Sequence, residues 1–370
     1  MDFSFTDEQH AIAGLAKQIF TDQCTLERLK TIETSSERYD TALWAACAKA
    51  GLLGASLPES AGGTGGGLLE ICLILEQQGR RVAPLPLVAS VVSAAMPLAR
   101  FGSAAQQERF LPGFLDGTEL LSAALTELGA DSRKPSAIAK ADGHGWRLTG
   151  VKVGVPVATR AAVVLVPART SDGQLGVFLV DPSAPGIQLA EQAPTNWEPQ
   201  ARFELRQVAV GPEALLGSLP QGEAILNWII DRTTVALCAI ASGACQEALR
   251  ITAEYASNRK QFGKPIGSFQ AVGQRLADAY IDSEAVRLTM WQAASRLADG
   301  IPSLKEVAVA KFWAAEGGSR VGHAALHVHG GIGIDIDYPI HRYFLWIKQI
   351  ENTLGAATPQ LVRLGALLAA

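Results

Sequence analysis

The chain shows no large excess of charge of either sign. Its 32 lysines and arginines stand against 36 acidic residues, a net charge of -4, and the basic residues are scattered rather than pooled. That balance, with a pI near 5.9, argues against a general nucleic-acid or anionic-membrane binder. No apolar run is expected to reach the ~18–20 residues of a bilayer-spanning helix; the stretches Leu87–Leu98 and Val235–Ala244 read as buried helices. The segment Met1–Glu8 has no basic patch followed by an apolar run, so no secretory leader is expected. The five cysteines (Cys24, Cys47, Cys72, Cys238 and Cys245) show no CxxC spacing. They read as small core residues of a reduced compartment, not as a disulfide frame or a zinc site. The expectation is a cytoplasmic protein with no nucleic-acid and no membrane partner.

What is present is a chain of 370 residues, 48% of them apolar, enough for two or three domains with a sizeable core. Its texture changes twice. Residues 1–118 read as helical: Thr41–Ala50 closes on Gly51, Leu68–Gly79 carries Leu69, Cys72, Leu73 and Leu75 at helical spacing, and Gln106–Leu115 is a short amphipathic stretch. Across residues 119–212 the period drops to two. Trp146–Thr149 and Val151-Lys152-Val153 alternate as a half-buried strand does, and Val163–Val166, Val177–Val180 and Phe203–Val210 are further strands. Residues 213–370 return to helix. Val272, Leu276, Ala279, Ser283, Val286 and Met290 mark one long helix with a single buried face, followed by Leu304–Gly317 and Ser319–Val328. Long helices on short connections imply an antiparallel bundle. The class is α+β: helices, then a modest antiparallel sheet, then a helical bundle.

Three segments carry possible chemistry. The glycine-rich run Leu57–Gly67 lacks the Lys-Ser/Thr ending of a phosphate loop and no strand precedes it, so it reads as a flexible interhelical loop. In Arg259–Gln270 one helix ends and another begins across a Gly/Pro turn. An arginine there suits a pyrophosphate, and Phe262 suits a flat ring, although a solvated helix end with one buried Phe is the plainer reading. In His327-Val328-His329-Gly330-Gly331-Ile332-Gly333 the two histidines do not share a helical face, and His323 with His327 lacks an acidic or cysteine partner. No metal site is expected. The paired glycines suit close approach of backbone to a ligand.

Taken together, the glycine-rich loop, the RxxFGxPIxxFQ segment and the GGxG segment resemble the acyl-CoA dehydrogenase family over essentially the full chain. The resemblance implies that family's fold: an N-terminal helical domain, a middle antiparallel β domain and a C-terminal four-helix bundle. Through Ile266–Asp282 and His327–Phe344 it is similar to the smaller, non-catalytic subunits of actinobacterial heterotetrameric enzymes acting on CoA thioesters of steroid side chains.

Family members desaturate the Cα–Cβ bond of an acyl-CoA. A carboxylate removes the α-proton, hydride passes to flavin N5, and hydrogen bonds to the thioester carbonyl stabilise the enolate. In the commonest arrangement the base is a Glu whose position here is Leu354; Glu351 lies about one turn earlier. The second arrangement puts the Glu on the helix before the RxxFG segment, where this chain has Thr233, with Asp231 the one nearby acid. An Asp-Arg pair at a helix start is more often a cap or a salt bridge. Relatives carry Trp-Ile-Thr along the flavin, whereas this chain has Gly154-Val155-Pro156. Thr126-Glu127 survive from a Thr-Glu-Pro segment, but the pattern then dissolves into Leu128–Asp131.

The other half of the arrangement is kept. In the family, the ADP part of each FAD is gripped by a neighbouring subunit, and the matching residues are Arg259, Phe262, Gln270, Gly330 and Gly331, with His327 where Gln is common. The resemblance therefore implies a subunit without its own base that shares FAD with a catalytic acyl-CoA dehydrogenase partner in an α2β2 heterotetramer. The partner would bind most of the acyl-CoA, and an electron-transfer acceptor would reoxidise the flavin. Two alternatives stay open: a complete homomeric dehydrogenase using Asp231 or Glu351, and a flavin-free acyl-CoA-binding scaffold.

Overall fold

A computed structural model describes residues 4–369. The N-terminal part is helical: α1 (Asp7–Gln23), α2 (Leu26–Glu33), α3 (Thr41–Lys49) and α4 (Leu68–Arg81) are followed by a π-helical stretch Val88–Ala95 that runs into α5 (Met96–Phe101), and then by α6 (Ala104–Leu115). Their starts are written in the sequence. Thr6 and Gln9 form a reciprocal capping box at α1, Ser103 and Gln106 form another at α6, and Asp40 accepts from the Leu43 N–H at 2.9 Å to start α3.

Seven strands follow: β1 (Leu120–Ala123), β2 (Ile138–Asp142), β3 (Gly145–Pro156), β4 (Ala161–Thr170), β5 (Leu175–Val180), β6 (Ile187–Gln192) and β7 (Gln200–Val210). They make one sheet in the order β1-β4-β2-β3-β7-β6, with β5 also on β4. The expected antiparallel pairing holds except at β4, which runs parallel to both β1 and β2. The last part holds α7 (Gly222–Asn258), the two-residue strands β8 (Lys260–Gln261) and β9 (Lys264–Pro265), then α8 (Gln270–Ala298), α9 (Leu304–His329), α10 (Ile340–Asn352) and α11 (Ala357–Ala369). The chain forms two compact units, one of Met1–Thr31, Leu68–Ala83 and Thr234–Ala370, the other of Ile32–Gly67 and Pro84–Thr233.

In the unit that holds the sheet, Phe178, Phe203, Leu148 and Val164 are fully buried in the core. The alternation of Val151-Lys152-Val153 would put valine inside, yet Lys152 is fully buried and Val151 is 36% exposed. Lys152 keeps the phase of the fully buried Leu148 four residues earlier, so it falls on the core face and Val151 on the other; the phase changes only at the register shift between Lys152 and Val155, which brings Val155 inside. Lys152 Nζ reaches Glu127 Oε1 at 2.6 Å and the Pro167 carbonyl at 2.8 Å. Burial pushes the Glu127 carboxyl up, but Lys152 and Ser136 outweigh it and hold it below the ordinary value. Burial also draws the Lys152 ammonium down, and the Glu127 charge offsets this only in part.

The helical unit is organised by a contact between backbones. A Cβ on Gly79 of α4 would lie 2.1 Å from the Ile240 carbonyl oxygen of α7, and one on Gly243 of α7 would lie 1.9 Å from the Glu76 carbonyl oxygen of α4. Such distances are far inside van der Waals contact, so only glycine fits at either position. Ser242 donates to the buried Glu76 carboxyl at 2.7 Å beside this crossing, while burial raises the Glu76 pKa. The two helices expected over Leu304–Gly317 and Ser319–Val328 are the single helix α9. Gly317 and Gly318 do not break it because both are buried against neighbours; a Cβ on Gly318 would lie 3.3 Å from Ile347.

Contrary to the expectation of no sufficient apolar run, the helix Leu219–Asn258 is long and apolar enough to cross a membrane by length and composition. However, 72% of its apolar window is buried inside the protein, as in the core helix of a soluble fold. All five cysteines are free.

Lys311 of α9 is fully buried. Its Nζ donates to the carbonyls of Ile350 (2.7 Å) and Glu351 (3.1 Å), closing the end of α10. Burial pushes its pKa down from 10.5 to about 8, with Cys238 and Glu351 opposing the shift.

Two predictions follow from these contacts. Gly243→Ala should cost about 3 kcal/mol or more through overpacking. Gly14→Ala, mid-α1 with nothing within 4 Å of its Cβ position, should instead stabilise by about 0.5–1 kcal/mol. Thermal denaturation should show opposite signs, and a neutral Gly243→Ala would exclude backbone contact at the crossing. For Lys311, the folded pKa lies below the unfolded one, so the unfolded chain holds the extra proton between pH about 8 and 10.5. Stability should therefore rise with pH across that window. Melting curves of wild type and Lys311→Met from pH 7.5 to 10.5 should diverge in favour of wild type, and parallel curves would refute the shift.

Candidate functional site

The RxxFG segment is a hairpin between two long helices. Helix α7 ends with the Arg259 N–H donating to the Tyr255 carbonyl at 2.8 Å, and the Ile266 N–H returns to the Arg259 carbonyl at 2.8 Å. Between them β8 and β9 pair, with Phe262 and Gly263 at the tip, both at positive φ. Phe262, which the plainer sequence reading would bury, is instead 92% exposed and meets Phe269 edge-on at 6.2 Å. Two residues in a hairpin tip have no core to enter. Arg259 is exposed and, among the described residues, has no acidic partner. Gln270 is exposed as the first residue of α8.

The second part of the site is the end of α9. His327, Gly330 and Gly331 are exposed. Gly330 adopts φ 63°, and a Cβ at either glycine would meet nothing within 4 Å. The backbone here is open to a ligand, and the positive φ selects glycine at 330.

What draws the ends of α7 and α9 together is an aromatic cluster. His329 is buried and stacks on Tyr255 at 4.4 Å with 25° between planes; Tyr338 completes the group. His329 Nδ1 lies 2.8 Å from the Ala325 carbonyl and Nε2 lies 3.2 Å from the Tyr338 hydroxyl. Nδ1 therefore carries the proton and Nε2 accepts, and burial lowers the imidazole pKa, which keeps it neutral. Sequence reasoning weighed His329 only as a metal ligand. Its spacing two residues from His327 was the usable signal, since that spacing turns one histidine inward when the other faces out. Among the described residues no three His, Cys, Asp or Glu side chains gather around one point.

This arrangement can hold a flat ring against Phe262, an anionic group on Arg259, and polar edges on Gln270, His327 and the glycine backbone. An unpartnered guanidinium and an open glycine cradle fit the ADP part of FAD.

The two positions where the resemblance places a base, Leu354 and Thr233, carry no acid. Leu354 sits at φ 56° on the turn between α10 and α11, where its carbonyl accepts from Gln360 Nε2 at 3.0 Å. Glu351 lies in the last turn of α10 with its carboxylate on Lys348 Nζ at 2.6 Å. Thr233 is buried with its hydroxyl 2.8 Å from that of Ser93. Asp231 is not at a helix start, because α7 begins at Gly222. It is buried, ion-paired with Arg133, whose other nitrogen donates to Asn227 Oδ1 at 2.7 Å. Beside it Arg232 lies 4.0 Å from the centre of the Trp228 ring, and burial and Arg100 pull its pKa down to about 10 against the pull of Asp231.

The segment Gly154-Val155-Pro156 is likewise used internally. The Gly154 N–H donates to Gln192 Oε1 at 2.7 Å, and the Pro156 carbonyl accepts from the Ser122 hydroxyl. Pro156 has no N–H to offer a flavin edge. Thr126 accepts the Val153 N–H on its carbonyl at 3.0 Å, and Glu127 is spent on Lys152. The glycine-rich run, expected as a flexible loop, is a compact turn. The N–H groups of residues 61–65 all donate to nearby carbonyls, which leaves none of these five for a phosphate.

Residues 6–118 match the acyl-CoA dehydrogenase N-terminal domain and residues 221–363 the acyl-CoA dehydrogenase C-terminal domain. The chain is 41% identical to acyl-CoA dehydrogenase FadE27 of Mycobacterium tuberculosis, covering 100% of this chain and 99% of that protein. Among solved structures it is similar to a chain of a variant of the steroid ACAD Tcur3481-Tcur3483, at 48% identity, 98% coverage of each chain and a TM-score of 0.92. It is also similar to a chain of the ChsE4-ChsE5 complex from Mycobacterium tuberculosis, at 42% identity, covering 100% of this chain and 99% of that one, with a TM-score of 0.94. With two domain models and full-length relatives in agreement, the chain belongs to the acyl-CoA dehydrogenase family.

Proposed function

We propose that this chain is the non-catalytic subunit of a hetero-oligomeric, FAD-dependent acyl-CoA dehydrogenase, donating the ADP-side half of an FAD site to a catalytic partner. The observation that carries the reading is an asymmetry. Arg259, Phe262, Gln270, His327, Gly330 and Gly331 are all exposed, whereas both base positions hold residues that cannot take a proton, Leu354 and Thr233. Arg259 would neutralise the pyrophosphate, Phe262 would cover the adenine ring, and Gln270, His327 and the Gly330-Gly331 backbone would bind polar edges. FAD, when bound, supplies the two-electron acceptor for desaturation; the proton-abstracting carboxylate comes from the partner.

The likeness to chains of a steroid ACAD and of the ChsE4-ChsE5 complex supports an unlike partner, an α2β2 assembly and a steroid side-chain CoA thioester as substrate, bound mainly by the partner. A separate acceptor takes the electrons. Five free thiols fit a reducing, cytoplasmic setting. A homomeric enzyme using Asp231 or Glu351 is disfavoured because each carboxylate is already held by a cation.

The test is FAD stoichiometry. The chain expressed alone should be colourless and inactive, and the complex co-purified with its catalytic partner should hold one FAD per pair of unlike chains. Arg259→Gln should weaken FAD retention in that complex about 10- to 100-fold, the loss of a charge-assisted contact. A yellow, active homo-oligomer, or one FAD per chain in the complex, would overturn the proposal, and a colourless active-site-free complex would leave only a scaffold.

A further inference from the structure

A cavity lined by charged residues, separate from the residues of the FAD half-site, lies in the helical unit. It has a volume of about 410 Å³ and opens where α1, α4 and α7 meet. Its charged lining is Lys17 from α1, Arg80 and Arg81 from α4, and Glu247 and Arg250 from α7. Four cations and one carboxylate line it, and with Glu254 paired to Arg250 the local charge is +2, on a chain whose net charge is -4.

Three of the four cations have no ion pair among the described residues. Arg250 is paired, with Nη2 on Glu247 Oε1 at 2.8 Å and Nη1 on Glu254 at 3.0 Å. That pairing takes up the cavity's one carboxylate. Arg80 hydrogen-bonds the neutral amide of Gln246, and its charge also reaches the buried Glu76 carboxyl without an ion pair. Lys17 and Arg81 have no acidic partner among the described residues. Arginines in the last turn of α4 are favoured by the helix dipole, which accounts for their sign. It does not account for Lys17 and Arg250 arriving at the same cavity from two other helices. Unneutralised like charges in a concave site raise the local potential and concentrate anions there.

We propose that this cavity binds the diphosphate group of a small molecule. Two linked phosphates match both the excess of positive charge and the planar donor forks of Arg80 and Arg81. Thr21 and Gln77, the remaining lining residues, are neutral groups able to donate to phosphate oxygens. The lining contains no aromatic or aliphatic side chain, so recognition rests on the diphosphate and not on a base or an acyl chain.

Isothermal titration of the full-length chain with inorganic pyrophosphate at low salt tests this, with adenosine as the phosphate-free control. Wild type should bind one pyrophosphate per chain and lose affinity as salt rises. Lys17→Gln/Arg81→Gln should weaken binding at least about tenfold, the loss of charge-assisted contacts, while Arg259→Gln should leave it unchanged. Pyrophosphate should raise the melting temperature of wild type and not of the double variant, and the double variant alone should melt no lower than wild type because it removes repulsion. Absence of binding, equal binding of adenosine, unchanged affinity in the double variant, or loss confined to Arg259→Gln would each overturn the proposal. The last result would assign the signal to the FAD half-site and leave the subunit reading untouched.

Discussion

The close crossing of α4 and α7 is the constraint on which the helical unit depends. With Gly79 and Gly243 each facing a carbonyl of the other helix at a distance no side chain tolerates, the two axes are held nearer than ordinary side-chain packing allows. Consequences spread from there. Glu76 and Ser242 can meet in the buried contact zone. Arg80 and Gln246 meet one turn further on, and the Tyr343 hydroxyl of α10 reaches the Arg80 carbonyl at 2.8 Å. The end of α4 is thus fixed beside α7, and its two arginines line a cavity instead of ranging through solvent.

Within the same unit, the residues assigned to the FAD half-site share one physical character: they are polar or aromatic groups left exposed by a well-packed framework. The framework is the Tyr255–His329–Tyr338 cluster, which buries a neutral imidazole between two phenols and joins the end of α7 to the end of α9. Rigid support beneath exposed groups is what pre-organises a binding surface. At the positions that the proposal compares with a base or a flavin-edge donor, the groups of this chain are bonded within the protein. Thr233 bonds Ser93, Gly154 bonds Gln192, and Asp231 and Glu351 are held by cations.

Much of this was legible in the residues. The change of period from about 3.6 to 2 and back marked the helical, sheet and helical parts, because burial of one face imposes those periods. That Leu354 has no carboxylate and Pro156 no N–H is a property of each residue and needs no coordinates. Other features were hidden for identifiable reasons. Lys152 shares the inward phase of Leu148, but a lysine reads as an outward residue until its buried partner Glu127, 25 residues away, is in place. The continuity of α9 through Gly317-Gly318 depends on neighbours supplied by α8 and α10. The two-residue strands flanking Phe262 are too short to show any period.

The sequence by itself determined the fold class, the family and the types of residue available at each position of the site, because propensity, periodicity and side-chain chemistry are local. Tertiary structure alone decided which of those groups are free. Arg259 and Asp231 are each a single charged residue on one helix or at its end. One faces solvent without an acid, and the other is closed on Arg133 from a loop ~100 residues earlier in the chain. Charges attract through space and not along the chain, so no local pattern could distinguish the two.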